Sequence, residues 1–243
     1  CLDVLDEIGL DPAASDVRAV PLGTDPLHFR PGIPTGDVRA RYGLEPGRWL
    51  LTVARLEVHK GIDTGLRVVA ALGETYPDLG YAIVGSGSRR QQLEALARDL
   101  GVTHRVRFLT GVPDADLPAL YNCAEIYLGL SRPEELQVEG FGISIVEASA
   151  CGIPVVGGRA GGIPDAVREG ETGILVDSTD VHAVVDLVRA LLADGELRRR
   201  LGDGGRRAVE SYYNWDRVTA DVRRMGDEHA APDAAGAGRR AGT

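Results

Sequence analysis

Short apolar runs rich in β-branched residues alternate along this chain with stretches in which apolar side chains return every three or four positions. The runs at residues 17–20, 49–54, 81–84, 106–109, 126–130, 154–157 and 174–176 predict strands. The amphipathic stretches at 62–76, 89–100, 115–122, 143–150, 183–193 and 196–213 predict helices. Continuous apolar runs belong to strands buried on both faces, so the pattern predicts an α/β fold, a Rossmann-like parallel sheet with helices on both faces. Such sheets take ligands at the carboxyl ends of their strands, where the chain turns into the next helix.

Those turns carry the glycine. Lys60-Gly61 follows the second run, Gly85-Ser86-Gly87-Ser88 the third, and Gly157-Gly158 and Gly161-Gly162 a later one. Glu139-Gly140-Phe141-Gly142 opens the helix that carries Glu147. Glycine lets backbone approach a ligand closely, and helix N-termini offer unpaired N–H groups to anions. Residues 1–16 read as a helix and loop, Gly23-Thr24-Asp25-Pro26 as a turn, and Ala, Gly and Pro dominate from Asp227 onward without periodicity, as in a disordered tail.

Composition narrows the chemistry. The 243 residues are 44% hydrophobic and 26% charged, in the range of globular proteins, and no apolar run reaches the ~18 residues a membrane helix needs. A net charge of −9 argues against a nucleic-acid surface. Cys1, Cys123 and Cys151 lack metal or disulfide spacing, and Cys123 and Cys151 read as small core residues of a reducing, cytoplasmic compartment. The five histidines show no metal spacing, so no metal or cofactor is expected. No nucleophile elbow or P-loop is present. Gly85-x-Gly87 lacks the third glycine of a dinucleotide fingerprint, whose position Arg90 occupies.

Lys60 is the one lysine among 27 Lys and Arg residues. Its retention suits a site that wants a compact three-donor ammonium rather than a planar guanidinium. With Arg55 across one strand-to-helix turn it forms a candidate anion clamp, an ordinary surface pair being the competing reading. Glu147 falls among Ile143, Ile145, Val146 and Ala148, where an unpaired carboxylate is costly. Ligand hydroxyls or backbone N–H groups are the alternative partners for it and for Glu139.

Taken together, Val53-Ala54-Arg55-Leu56 with Lys60-Gly61, Ile83-Val84-Gly85-Ser86-Gly87, Glu139-Gly140-Phe141-Gly142-Ile143 with Glu147-Ala148, Gly152-Ile153-Pro154-Val155-Val156 and Gly161-Gly162-Ile163-Pro164 resemble the GT-B fold retaining glycosyltransferases of family 4. The resemblance covers roughly residues 17–225, the C-terminal, donor-binding half of that fold. It implies that Arg55 and Lys60 hold the diphosphate of a nucleoside-diphosphate sugar and that Glu139 contacts the sugar hydroxyls. It also places Glu147 near the ribose, and Gly85, Ser86, Gly87, Val112, Phe141, Gly142 and Ile143 along the donor. Residues 1–20 would then be a remnant of an N-terminal domain, 21–213 the nucleotide-sugar-binding domain, 214–226 a crossover helix and 227–243 the tail. On this resemblance the acceptor-binding N-terminal domain would lie outside these residues, and any membrane association would come through it. GDP-mannose and UDP-glucose are the donor types expected. A GT-B sugar-nucleotide epimerase, a phosphorylase and a non-catalytic nucleotide-sugar-binding module are the competing functions.

Overall fold

The computed structural model describes residues 18–44, 47–134 and 137–230. Strands β1 (Arg48–Val53), β2 (Leu79–Val84), β3 (Val106–Leu109), β4 (Ile126–Gly129), β5 (Val155–Gly158) and β6 (Gly173–Val176) form one parallel sheet in the order β3-β2-β1-β4-β5-β6. The order reverses between β1 and β4, so the loops leaving these strands diverge and open a crevice at the sheet's carboxyl edge. Register runs from Arg48↔Leu79 to Val53↔Val84 between β1 and β2, whereas β1 and β4 share only Leu50↔Ile126 and Leu51↔Tyr127.

The helices are α1 (Gly36–Tyr42), α2 (Ile62–Leu72), α3 (Arg90–Asp99), α4 (Leu117–Asn122), α5 (Ile143–Ala150), α6 (Ile163–Ala166), α7 (Val181–Ala193), α8 (Gly195–Ser211) and α9 (Trp215–Ala230). Alternate strand residues feed two apolar layers. Leu50, Ile83, Leu128 and Val156 pack under α2 and α7 through Ile62, Leu66, Val184 and Val188. Their neighbours Leu51, Ala82, Tyr127 and Val155 pack on the other face with Ile145 and Val146 of α5 and Ala208 and Val209 of α8. Each buried Leu, Ile or Val here contributes about 1.5–3 kcal/mol, which explains the unbroken apolar runs of the strands. Asp180 and Asp194 start α7 and α8 by accepting from Ala183 N (3.0 Å) and Leu197 N (2.9 Å).

Polar groups tie the layers together. The Tyr81 hydroxyl and Thr52 Oγ1 lie 2.7 Å apart, and Thr52 donates to the Leu128 carbonyl at 2.6 Å, crossing from β2 through β1 to β4. Gly65 lets α2 rest on the Tyr81 ring, where a Cβ would lie 2.6 Å from the hydroxyl oxygen. Arg206 Nη1 of α8 donates to the carbonyls of Pro26 (2.9 Å), Phe29 (2.9 Å) and Ala150 (3.0 Å), fastening the 25–29 turn to the end of α5. Cys123 and Cys151 are free and buried, and burial pushes the Cys151 thiol up to about 12.

Some elements differ from the sequence expectation. Residues 18–20 form no strand; residue 17 lies outside the described residues. The 18–24 segment instead lies along α9, with Thr24 N bonded to Tyr213 O at 2.9 Å and Arg217 donating to Pro21 O. Its backbone partners come from the α8–α9 connection, not from a sheet edge. Helix α1 was not foreseen because it buries a single apolar side chain, Val38. Helix α2 stops at Leu72, where Gly73 follows, rather than at residue 76. Helix α9 continues past 226 to Ala230, its last turn anchored by Glu228, which pairs with Arg18 at 2.5 Å. Residues 231–243 and 1–16 lie outside the described residues.

Candidate functional site

Lys60 ends a single 3₁₀ turn, Val58–Lys60, between β1 and α2. Gly61 closes that turn at φ 63°, and a Cβ there would meet the Leu130 carbonyl at 2.1 Å, so only glycine brings the loop this close to the end of β4. The approach sets the Lys60 ammonium against Glu139, and the two form an ion pair. Glu139 is held from behind by Gly161, whose φ is 56° and where a Cβ would lie 2.4 Å from the Glu139 carbonyl, so a side chain is excluded. Gly162 N donates to that same carbonyl at 2.8 Å.

Glu139 Oε2 also accepts from the Ser131 hydroxyl at 2.8 Å, so both bonds fall on one oxygen and Oε1 has no partner among the described residues. Burial alone would raise the Glu139 carboxyl. The bond and charge of Lys60, with the Ser131 hydroxyl, outweigh it and hold the group below the usual glutamate range. Glu147, on α5, behaves oppositely. Burial raises its carboxyl above the ordinary range although the Tyr121 hydroxyl donates to Oε2 at 2.7 Å. The Tyr121 phenol is itself pushed well up by burial beside Glu147. The two acids are thus shifted in opposite directions, Glu139 down and Glu147 up.

Both acids line a cavity of about 510 Å³ at the carboxyl ends of β1 and β2. Arg55, Lys60, Gly85, Ser86, Val112, Gly142 and Ile143 line it with them, together with Gly111, Leu117 and Ser144. Arg55 is exposed and makes no ion pair among the described residues, so its guanidinium is available to an anion. Gly142 caps α5 at φ 90° without a side-chain acceptor, so the first-turn amides of α5 are presented at the cavity wall. The walls are mixed in kind: two cations, a helix N-terminus and two carboxylates, one of them paired with Lys60, share the lining with apolar Val53, Val84, Val112 and Leu117.

Two of the expected residues stand elsewhere. Gly87 lies off the cavity wall, where a Cβ would come within 2.5 Å of the Leu56 carbonyl; it packs the β2–α3 turn on the β1–α2 turn. Phe141 is buried behind the wall, its ring 6.2 Å from that of Tyr213. Ser131, Tyr121 and Ser144 escaped the sequence reading. Ser131 and Tyr121 serve the two acids, and Ser144 accepts from the Tyr127 hydroxyl at 2.7 Å. Ser144, two residues after Gly142 in the first turn of α5, was the one with a legible signal. Among the described residues no three His, Cys, Asp or Glu side chains converge to hold a metal ion, and no helix is long and apolar enough to cross a membrane.

The sequence profile of the glycosyl transferases group 1 family matches residues 37–208, from α1 to the last turns of α8. The chain belongs to this family. Among its relatives, the GDP-mannose-dependent alpha-(1-6)-phosphatidylinositol monomannoside mannosyltransferase of Mycolicibacterium smegmatis is 40% identical over 200 residues, which are 77% of this chain and 52% of that protein. The D-inositol 3-phosphate glycosyltransferase of Corynebacterium jeikeium is 36% identical over 205 residues, 80% of this chain and 48% of that protein. The sucrose-phosphate synthase of Thermosynechococcus elongatus superposes with a TM-score of 0.76 at 28% identity, covering 87% of this chain and 52% of that one. This family member therefore spans about half the length of the relatives it matches, and the half it spans is the α/β domain that contains the cavity.

Proposed function

We propose that this chain is the donor-binding half of a retaining hexosyltransferase and that its cavity takes a nucleoside-diphosphate hexose, GDP-mannose in first place. One observation carries the reading. A crevice at the sheet's switch point gathers two cations and a helix N-terminus together with two hydrogen-bonding carboxylates, the groups that a diphosphate bearing hydroxyl-rich sugars calls for. The GDP-mannose dependence of the mycolicibacterial relative favours the guanine nucleotide and the mannose.

In this reading the diphosphate lies between Arg55, Lys60 and the α5 N-terminus. Lys60 has three N–H donors and spends one on Glu139, leaving two for phosphate oxygens. Glu139 Oε1 accepts from hydroxyls of the transferred hexose, and Glu147 accepts from the nucleotide ribose. Transfer breaks the bond from C1 of the hexose to the diphosphate, whose oxygen keeps the electron pair. The acceptor hydroxyl forms the new bond to C1 from the same face and passes its proton to the departing diphosphate. The chain's own part is electrostatic: Arg55, Lys60 and the helix amides stabilise charge that grows on the leaving group, so these cations meet the charge without calling on a metal ion. Glu139 orients the hexose and forms no bond to it.

Titration calorimetry of this chain with GDP-mannose, GDP, UDP-glucose and UDP tests the reading, followed by a product assay with the N-terminal half of the M. smegmatis relative supplied. GDP-mannose should bind more tightly than UDP-glucose, and transfer should require the added half. Failure to bind any of the four overturns the donor-site reading. Binding without transfer when the acceptor half is present and docked would favour a non-catalytic module, and inversion at C2 of a UDP-sugar an epimerase.

A further inference from the structure

Behind the cavity runs a chain of buried hydroxyls that the proposed chemistry leaves unused. Thr64 in the first turn of α2 donates to the Ser178 carbonyl at 3.1 Å. Ser178, in the loop after β6, donates from Oγ to the Ser131 carbonyl at 3.1 Å. Ser131, at the end of β4, donates to Glu139 at 2.8 Å. The three side chains belong to separate elements and all are buried, at 1%, 2% and 3% exposure. Packing tightens the arrangement, because Gly158 of β5 stands where a Cβ would lie 2.0 Å from the Ser131 carbonyl. The Ser178 and Thr64 hydroxyls also satisfy the buried carbonyls of Ser131 and Ser178, whereas the Ser131 hydroxyl is spent on Glu139. Alanine would fill much of each site, and most buried positions around them are apolar.

We infer that Ser131, backed by Ser178 and Thr64, is a positioning residue that aims Glu139 at the hexose of the donor. The inference rests on the proposed donor site. Lys60 and Ser131 reach the same oxygen of Glu139 from different elements, the β1–α2 turn and the end of β4. Two bonds from two directions fix the plane of the carboxylate, and with it the direction of the unpartnered Oε1. Lys60 alone, on a flexible four-carbon stem, would let the carboxylate swing with it. Ser131 in turn is fixed through its carbonyl by Ser178, which Thr64 ties back to the helix that begins beside Lys60. The hydroxyl chain therefore closes a loop, from α2 through the ends of β6 and β4 to Glu139 and Lys60, and couples the sugar-facing acid to the phosphate-facing cation.

The role has a signature that simple structural support lacks. Ser131 acts on the hexose contact and leaves the nucleotide contacts alone, so Ser131→Ala should lower affinity for GDP-mannose by about 10-fold while GDP affinity stays within about twofold. Ser131→Thr keeps the hydroxyl and should restore the preference for GDP-mannose over GDP, and Ser178→Ala should give a smaller loss in the same direction. Calorimetry on the whole chain, with UDP-glucose and UDP run in parallel and thermal unfolding recorded for each variant, reads these outcomes. Equal loss for sugar nucleotide and free nucleotide, or no loss for either, overturns the positioning role. A wild-type chain that binds none of the four ligands removes the donor site itself, and this inference with it.

Discussion

Replacing Lys60 by alanine should separate two consequences that the ion pair with Glu139 joins. The first is stability. Glu139 and Lys60 side chains are each 15% exposed, so the variant leaves a mostly buried carboxylate with Ser131 as its remaining partner. A hydrogen bond to a charged group contributes about 1.5–3 kcal/mol, and the open cavity returns part of this by hydrating the acid, so a loss of about 1–2 kcal/mol is expected. For a chain of this size that lowers Tm by roughly 2–8 °C. The second is affinity: losing the ammonium from the diphosphate should weaken GDP binding by about 10- to 150-fold. Lys60→Ala combined with Glu139→Gln tests the division, since the second change removes the stranded charge. The double variant should recover most of the Tm while GDP binding stays weak. Lys60→Arg should also bind poorly, because a guanidinium held flat against Glu139 cannot turn two donors to the phosphates. Differential scanning calorimetry and nucleotide titration supply both readouts. Wild-type GDP affinity in Lys60→Ala would refute the phosphate role, and a double variant no more stable than the single one would refute the account of the pair.

Three further outcomes follow from named contacts. Glu147 has its carboxyl raised by burial, so it contributes stability at low pH that is lost as pH rises through the raised value, while its ribose-accepting carboxylate is lost in the opposite direction. GDP affinity should accordingly fall as pH drops, with the fall beginning above the ordinary glutamate range, and Glu147→Gln should flatten that profile in calorimetric titrations. Gly65→Ala should destabilise by about 2–4 kcal/mol, because its Cβ would lie 2.6 Å from the Tyr81 hydroxyl, whereas Gly226→Ala on open α9 should be neutral or stabilising by up to about 1 kcal/mol in urea unfolding. Arg206→Ala strands the carbonyls of Pro26, Phe29 and Ala150 and should cost about 2–3 kcal/mol in the same assay, with GDP affinity unchanged.

The parts legible in the amino-acid order were those governed by local period and by turn glycines. Strands β1 to β6 stood out because burial on both faces demands unbroken apolar runs, and α5 because Gly142 and the apolar helix after it mark its start at Ile143. Lys60 and Glu139 stood out through composition and resemblance, but their ion pair spans 79 residues and no periodicity announces it. Ser131 and Tyr121 were invisible for the same reason: each is one hydroxyl beside an apolar run, and its partner is chosen by the packing of separate elements. The same limit explains residues 18–20, whose apolar look says nothing of whether a sheet edge or a helix connection will supply their partners.

The narrow pairing of β1 with β4 has a kinetic consequence. The sheet is two three-stranded pieces, each built from short βα repeats, and the seam joins residues 76 positions apart, Leu50 with Ile126, through only two register pairs. Contacts of that sequence separation are slow to find, so the pieces have the local means to form before the seam closes. Arg55, Lys60, Gly85 and Val112 belong to the first piece, and Glu139, Ile143 and Glu147 to the second. The crevice therefore comes into being only when that seam closes. A donor lying across it would act as a rivet between the two pieces, slowing their separation in proportion to how tightly it is held.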